Sequence, residues 1–339
     1  DTSVEDSIYT VYTDNYGRNV VIYIGYSNMN LIKVGSSIAR SADTTWLSVY
    51  SGQVANDTAG NNLALSNMDQ FDALEVTSFV ADTTSPTLLW WSFDVYYGMF
   101  TLRFSEVIDA LTFNYTGCYF VANETAVNVT KFRVDGDNDL TSVQTTDSND
   151  MVLTLTEKRY GELLDLTFML TNESNSYMVL EAGAPWDTSL AQNEYNDTTT
   201  TIYNTRKVGT FYPDTVQPTL ISAVLDLTNQ TLLLGFDKFV AASSLNVSYI
   251  FFQDMVAAGV GTEVFDMSPA FIDLQDASVE DSKFVTLQLT SRGFNMLKGG
   301  MGFSNLAFSS ANTYVGIFSL FIHDKAENKN KIVAITSSS

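Results

Sequence analysis

The chain has 339 residues, with 17 Lys+Arg against 39 Asp+Glu and a formal net charge of -22 at pH 7. That balance excludes sequence-independent nucleic-acid binding, which needs a cation surplus to displace counterions, and adhesion to an anionic bilayer. One His makes a His-based metal centre or a Ser-His-Asp site hard to assemble and one Cys excludes a disulfide framework, while 45% apolar residues suffice for the cores of two or three domains.

The first predicted element is Ser7–Thr13 (SIYTVYT), an alternating β-segment. Val20 to Lys33 (VVIYIGYSNMNLIK) follows, with apolar residues at every second position over Val20, Ile22 and Ile24, the pattern of a half-buried strand. Thr44 to Asn61 (TTWLSVYSGQVANDTAGN) is a strand running into an Asp-led turn at Asp57, and Val76 to Asp82 (VTSFVAD) closes the segment. No helix longer than a turn or two is predicted anywhere; Asn295 to Lys298 is one such turn. The longest apolar run, Val315 to Ile322 (VGIFSLFI), is strand-sized and too short to span a bilayer. No membrane insertion is expected.

From Asp82 onward the chain repeats itself. Asp82–Val121 lies on Asp214–Gln253 without a gap, with 11 identities, among them Pro86/Pro218, Asp94/Asp226, Phe104/Phe236 and Asn114/Asn246. The strand at Val20 has counterparts at Met151 (MVLTLTEKRYGELL) and Val285 (VTLQLTSRGFNMLK). The Asp57 turn has counterparts at Asp187 and Asp324, and Val208–Asp214 (VGTFYPD) repeats Val76–Asp82. The expected organisation is three modules. Residues 1–81 hold only the second half of a module, 82–213 a complete one, and 214–339 one without its closing strand. Short strands broken by Gly, Asn and Asp turns point to all-β architecture, each module an antiparallel sandwich.

The D-x-x-x-P-T-L start, the Leu-x-Phe that follows, and the Asp57-Thr58-Ala59-Gly60-Asn61 turn together resemble the tandem immunoglobulin-like repeats of large extracellular proteins of algae and other protists. These include flagellar-hair (mastigoneme) proteins; the pattern is also similar to bacterial Ig-like adhesin repeats. Modules 2 and 3 depart from the turn, reading Asp187-Thr188-Ser189-Leu190 and Asp324-Lys325-Ala326-Glu327. The resemblance implies tandem Ig-like modules and a structural or adhesive role, and carries over no catalytic residue.

Candidate sites follow from residue type. Asn56, Asn114, Asn123, Asn128, Asn172, Asn196, Asn229 and Asn246 each head an Asn-x-Ser/Thr triplet without Pro, the acceptor for N-glycans. Asn114 and Asn246 share one repeat position, just past a strand, where a glycan would point outward. Thr198, Thr199, Thr200 and Thr201 are candidate O-glycosylation positions. Asp135, Asp137 and Asp139 carry carboxylates at i, i+2 and i+4, a spacing that suits calcium, the one cofactor suggested; the bidentate Glu of an EF-hand is absent, and a solvated acidic loop is the competing reading. His323 aligns with Trp186 and Cys118 with Ile250, so neither reads as catalytic; Glu106 aligns with Lys238, which speaks against an acid-base pair. No enzyme is expected.

The reading that unites these features is a secreted, glycosylated subunit whose signal peptide has been removed and whose partner is itself. Incomplete modules would be completed head to tail by strand complementation between subunits, giving an extracellular filament. Ile8, Tyr9, Thr10, Val11 and Tyr12 are the expected polymer-interface strand. The alternative is a fragment of a cell-surface adhesin or carbohydrate-binding Ig-like array.

Overall fold

The computed structural model describes residues 9–13, 19–35, 37–48, 56–62, 73–124, 130–181, 185–196, 205–256, 262–278, 282–300 and 306–336. They fold mainly into antiparallel β-sheets. In chain order the elements are β1 (Tyr9–Thr13), β2 (Val20–Ile24), α1 (Tyr26–Val34), β3 (Trp46–Leu47), β4 (Leu74–Glu75), β5 (Leu88–Asp94), β6 (Met99–Ile108), β7 (Cys118–Val121) and β8 (Phe132–Arg133). There follow β9 (Leu140–Val143), β10 (Ser148–Leu155), α2 (Glu157–Leu164), β11 (Tyr177–Leu180), β12 (Thr205–Lys207), β13 (Thr210–Tyr212), β14 (Leu220–Asp226) and β15 (Thr231–Val240). The last are β16 (Ile250–Gln253), β17 (Val264–Asp266), β18 (Ile272–Ser278), β19 (Ser282–Leu289), α3 (Ser291–Asn295) and β20 (Tyr314–Ile317). Among the described residues, no helix is long and apolar enough to cross a membrane.

The chain divides into two compact units, Asp1–Phe93 with Met99–Thr154 and Ser176–Thr210, and Asp94–Gly98 with Leu155–Asn175 and Phe211–Ser339. In the first, β5, β6, β10 and β9 lie side by side in that order, with β13 paired beyond β5; β12, β11, β7 and β8 form a second sheet. Strand alternation sorts the side chains: β6 buries Phe100, Leu102 and Phe104 fully and leaves Thr101 and Arg103 part-exposed. Phe100 of β6 stacks on Phe120 of β7 with ring centroids 4.3 Å apart, so the two sheets close on one aromatic core. Trp91 is fully buried there and its indole N–H donates to the Arg206 carbonyl at 2.9 Å. Its neighbour Trp90 faces the other way, under the Arg103 guanidinium at 5.1 Å, as adjacent strand residues must.

In the second unit the sheets are β14-β15-β19-β18 and β17-β16-β20. Leu232, Leu234 and Phe236 of β15, Val285 and Leu287 of β19, Phe252 of β16 and Ile317 of β20 form its shared core.

Backbone geometry recurs at the same positions as the elements. Ala39 and Leu170 both have φ 55 and Ala307 has φ 63; Gly98 (φ 60) corresponds to Gln230 (φ 56), and Gly60 (φ 86) to Gln192 (φ 52) and Lys329 (φ 53). Non-glycine residues adopt this left-handed region rarely, so its return at equivalent positions with different side chains shows the fold imposing the conformation.

The structure corrects the expectation that no helix exceeds a turn or two. Strands β2, β10 and β19 run directly into α1, of nine residues, α2, of eight, and α3, of five. For α2 and α3 the cause is local capping: Thr156 Oγ1 accepts the Arg159 N–H at 3.3 Å, and Thr290 Oγ1 accepts the Gly293 N–H at 3.1 Å, whereas α1 starts after Gly25 without a side-chain cap.

Candidate functional site

The Asp-led turn is one motif built three times. The Asp57 Oδ1 accepts the N–H groups of Ala59 (2.9 Å) and Asn61 (2.7 Å), and its Oδ2 accepts from the Asn61 amide at 2.7 Å. Asp187 does the same with Ser189, Asn193 N–H and the Asn193 amide; Asp324 with Ala326, Asn330 N–H and the Asn330 amide. In the latter two copies the Asn amide also donates to a chain start, Asn193 to the Asp82 carbonyl at 3.1 Å and Asn330 to the Asp214 carbonyl at 2.9 Å.

On this frame stands a pair of lysine–carboxylate clusters. Within the first unit, Lys33 at the end of α1 donates to Asp82 Oδ2 at 2.6 Å and to Glu106 Oε2 at 2.7 Å, with Asp187 beside them; carboxylate oxygens of Asp82, Glu106 and Asp187 lie within 4.8 Å of one another. Glu106 and Asp187 are buried. Burial raises the Glu106 carboxyl to about 7 despite the Lys33 hydrogen bond, with the charges of Asp82 and Asp187 adding to the rise. Burial also works against charge on Lys33 and Asp82, but their mutual hydrogen bond prevails, holding Lys33 above and Asp82 below their ordinary values.

Within the second unit the equivalent carboxylates are Asp214 and Asp324, both buried. Here the cation is Lys238, on the strand position of Glu106; it pairs with Asp214, with Asp324 Oδ2 at 2.7 Å and with the Val216 carbonyl at 2.7 Å. The helix position of Lys33 is Leu164 in α2, which lines a cavity of about 20 Å³ with Tyr96, Tyr160 and Phe239. The corresponding cavity in the first unit is about 480 Å³ and lined by Ile24, Met29, Ile32 and Val80 among others. Tyr160 stands where the first copy has Met29.

Strand β2 is the other distinctive surface. It pairs with β1 in the register Tyr9↔Ile24 to Thr13↔Val20, and among the described residues its opposite edge is unpaired. Val20, Ile22 and Ile24 are 53%, 55% and 42% exposed, whereas their counterparts Met151 and Leu153 in β10 and Val285 and Leu287 in β19 are 0%. Those strands have β6 and β15 on the edge that β2 leaves open. A second open edge is β14, paired among the described residues with β15 alone, where Ile221 and Val224 are 65% and 55% exposed.

The sequence-predicted positions fall as follows. Tyr9, Thr10, Val11 and Tyr12 belong to β1 and are hydrogen-bonded to their own chain's β2, in the place that β9 takes beside β10; Ile8 lies outside the described residues. Asn56, Asn114, Asn123, Asn196, Asn229 and Asn246 are exposed and Asn172 is part-exposed; Asn128 and Thr198–Thr201 lie outside the described residues. Asn114 and Asn246 both cap short 3-10 turns, their side chains accepting the Thr116 and Ser248 N–H groups at 3.2 Å. Asp139 accepts the backbone N–H of Asp135 at 2.8 Å; the side chain of Asp137 lies outside the described set. His323 and Trp186 occupy matching bridges, to Lys331 and Glu194. Cys118 is fully buried, which pushes its thiol up to about 12.

Neither a scan of protein-family models nor a search of curated proteins gives a match. Among solved structures, the N-terminal part of the bacterial S-layer protein SbsC is matched at 14% identity and a TM-score of 0.24, over 61% of this chain and 44% of that one. The chain thus spans less than half the length of that neighbour.

Proposed function

We propose that this chain is a secreted, glycosylated structural protein of tandem Ig-like β-sandwich modules that assembles with copies of itself into an extracellular filament. The observation that carries the reading is the contrast between β2 and its two counterparts: the same alternating apolar strand is covered in two copies and open in the first. Covering side chains of this size contributes roughly 1.5–3 kcal/mol each, and the open edge adds backbone hydrogen bonds against the cost of association. The occupant of the open edge is β14 of a second copy, itself unpaired on one side, so that the sheets β18-β19-β15-β14 and β2-β1 become continuous. β1 is not the donor strand in this arrangement, since β2 holds it in its own chain. Because β14 and β2 are different surfaces, the contact is heterologous and does not close on itself, which yields an open fibre. N-glycans at Asn114 and Asn246 would stand on exposed turns and space a surface of charge -22 per copy.

The test is assembly itself. Wild type should form filaments by electron microscopy and scatter as a polymer, while Ile22→Lys or Val224→Lys, both at exposed positions, should leave monomers with an unchanged melt. A wild type that stays monomeric at all concentrations, as a fragment of a longer adhesin array would, or filaments that persist in both variants, overturns the reading. Intact mass before and after deglycosylation of native material tests the glycans.

A further inference from the structure

Two observed junctions obey one rule. In the first unit the helix α1 supplies the cation, Lys33, and strand β6 the acid, Glu106; in the second, helix α2 supplies Leu164 and strand β15 the cation, Lys238. Each time one lysine is bonded within a group holding a repeat-start and a turn aspartate: Lys33 to Asp82 and Glu106, with Asp187 beside them, and Lys238 to Asp214 and Asp324. Lysine on both the helix and the strand would press two ammonium groups together at this contact, and lysine on neither would leave the buried carboxylates without a cation. The residue a helix carries at this position and the residue on the strand it meets are therefore reciprocal, Lys with Glu or Leu with Lys.

Helix α3 presents the third instance of the helix side. Lys298 stands where Lys33 and Leu164 do, and Phe294 where Met29 and Tyr160 do. Lys298 is exposed and lies over the Phe294 ring at 4.9 Å; no carboxylate is paired with it among the described residues. In α2 the corresponding aromatic, Tyr160, packs edge-on against Phe239 at 5.9 Å, showing what this face does when occupied.

We infer that the face formed by Phe294 of α3 and Lys298 of the turn that follows it is a docking surface for a further module of the same repeat, and that it selects a module with a carboxylate at the Glu106 position over one with lysine there. The partner's chemistry follows from the helix side: an acid flanked by two aspartates, next to an apolar residue of the Val107 or Phe239 kind. The inference rests on the repeat-module part of the proposed function and not on assembly through β2 and β14.

The test extends the full chain. Residues 1–339 are followed by a second copy of 208–213 and then of 82–213, in the Ile22→Lys, Val224→Lys background so that filament formation is scored separately. Hydrogen exchange of the α3 amides should slow at least tenfold relative to the unextended chain. Glu106→Lys in the appended copy should return exchange to within twofold of the unextended chain, and adding Lys298→Leu should restore the protection. Equal protection by the Glu and Lys forms, or none by either, overturns the inference. The rule is also read without any extension: Lys33→Leu should lower the melting midpoint, and Lys33→Leu with Glu106→Lys, which recreates the Leu164–Lys238 arrangement, should regain most of the loss. A double variant no more stable than Lys33→Leu alone likewise overturns it.

Discussion

Lys33 Nζ lies 2.7 Å from Glu106 Oε2, although 73 residues separate the two and each belongs to a different repeat of the chain. A buried acid held by one ammonium makes this contact asymmetric. Removing the cation leaves the buried Glu106 and Asp187 facing each other and the part-exposed Asp82. Lys33→Met is therefore expected to cost about 3 kcal/mol at pH 8, as breaking buried pairs does, and clearly less at pH 5, where Glu106 takes up a proton and stops repelling its neighbours. Urea melts at the two pH values measure both numbers; an equal loss at each would show that Lys33 acts through packing alone.

The wild type should carry the same signature. The Glu106 carboxyl stands at about 7 in the folded chain against an ordinary 4.5. Above the folded value it is charged in both states, and folding bears the desolvation cost. As pH falls below about 7 the folded state binds the proton first, so stability rises down to about 4.5 by on the order of 3 kcal/mol. Asp82 works the other way: its lowered value gives stability present above 3.8 and lost as pH falls further. The melting midpoint should thus peak near pH 5, and Glu106→Gln should flatten the slope between pH 5 and 7. A variant with the wild-type slope would place the titrating group elsewhere.

The three Asp turns share their hydrogen bonds but not their surroundings, which separates the worth of the turn from the worth of the cluster. Asp324 is fully buried and also meets Lys238, so Asp324→Ala takes the acceptor from the Ala326 and Asn330 N–H groups and one of two carboxylates from Lys238, and should cost about 3 kcal/mol. Asp57 makes the same turn in the open, where water replaces each lost partner, and Asp57→Ala should leave the melting midpoint nearly unchanged. Thermal melts of the two variants compare them directly; similar losses would mean that the turn, and not the lysine cluster, carries the stability.

Much of this was legible in the sequence. The period-2 pattern of Met151, Leu153 and Leu155 names the faces of β10, and the 132-residue offset places β14 and β15 from β5 and β6. The helices were not legible because each starts where a strand ends, so the strand's alternation runs into it without a break; the signal was the capping Thr156 and Thr290 at one repeat position. The junctions hid for a different reason. Aligning like with like puts Glu106 against Lys238 and Lys33 against Leu164, two apparently unrelated changes. Only when the helix of one repeat is set against the strand of the next do they become a single compensated exchange.

Cys118 offers a probe of the same core. Its sulfur is fully buried between the sheets on β7, and burial, with the Glu181 charge adding, pushes the thiol up to about 12. At pH 8 the thiolate fraction is then on the order of one in ten thousand, and the reagent has no path to it while the sheets stay closed. Labelling with an aromatic disulfide should therefore wait for global opening of the first unit, with a rate that rises with urea in step with the unfolding transition. Lys33→Met should accelerate labelling if the lysine–carboxylate cluster and the β7 core unfold as one cooperative unit. Labelling of the wild type in seconds without denaturant would show instead that β7 opens locally, and that the core around Phe100 and Phe120 is not the most stable part of the fold.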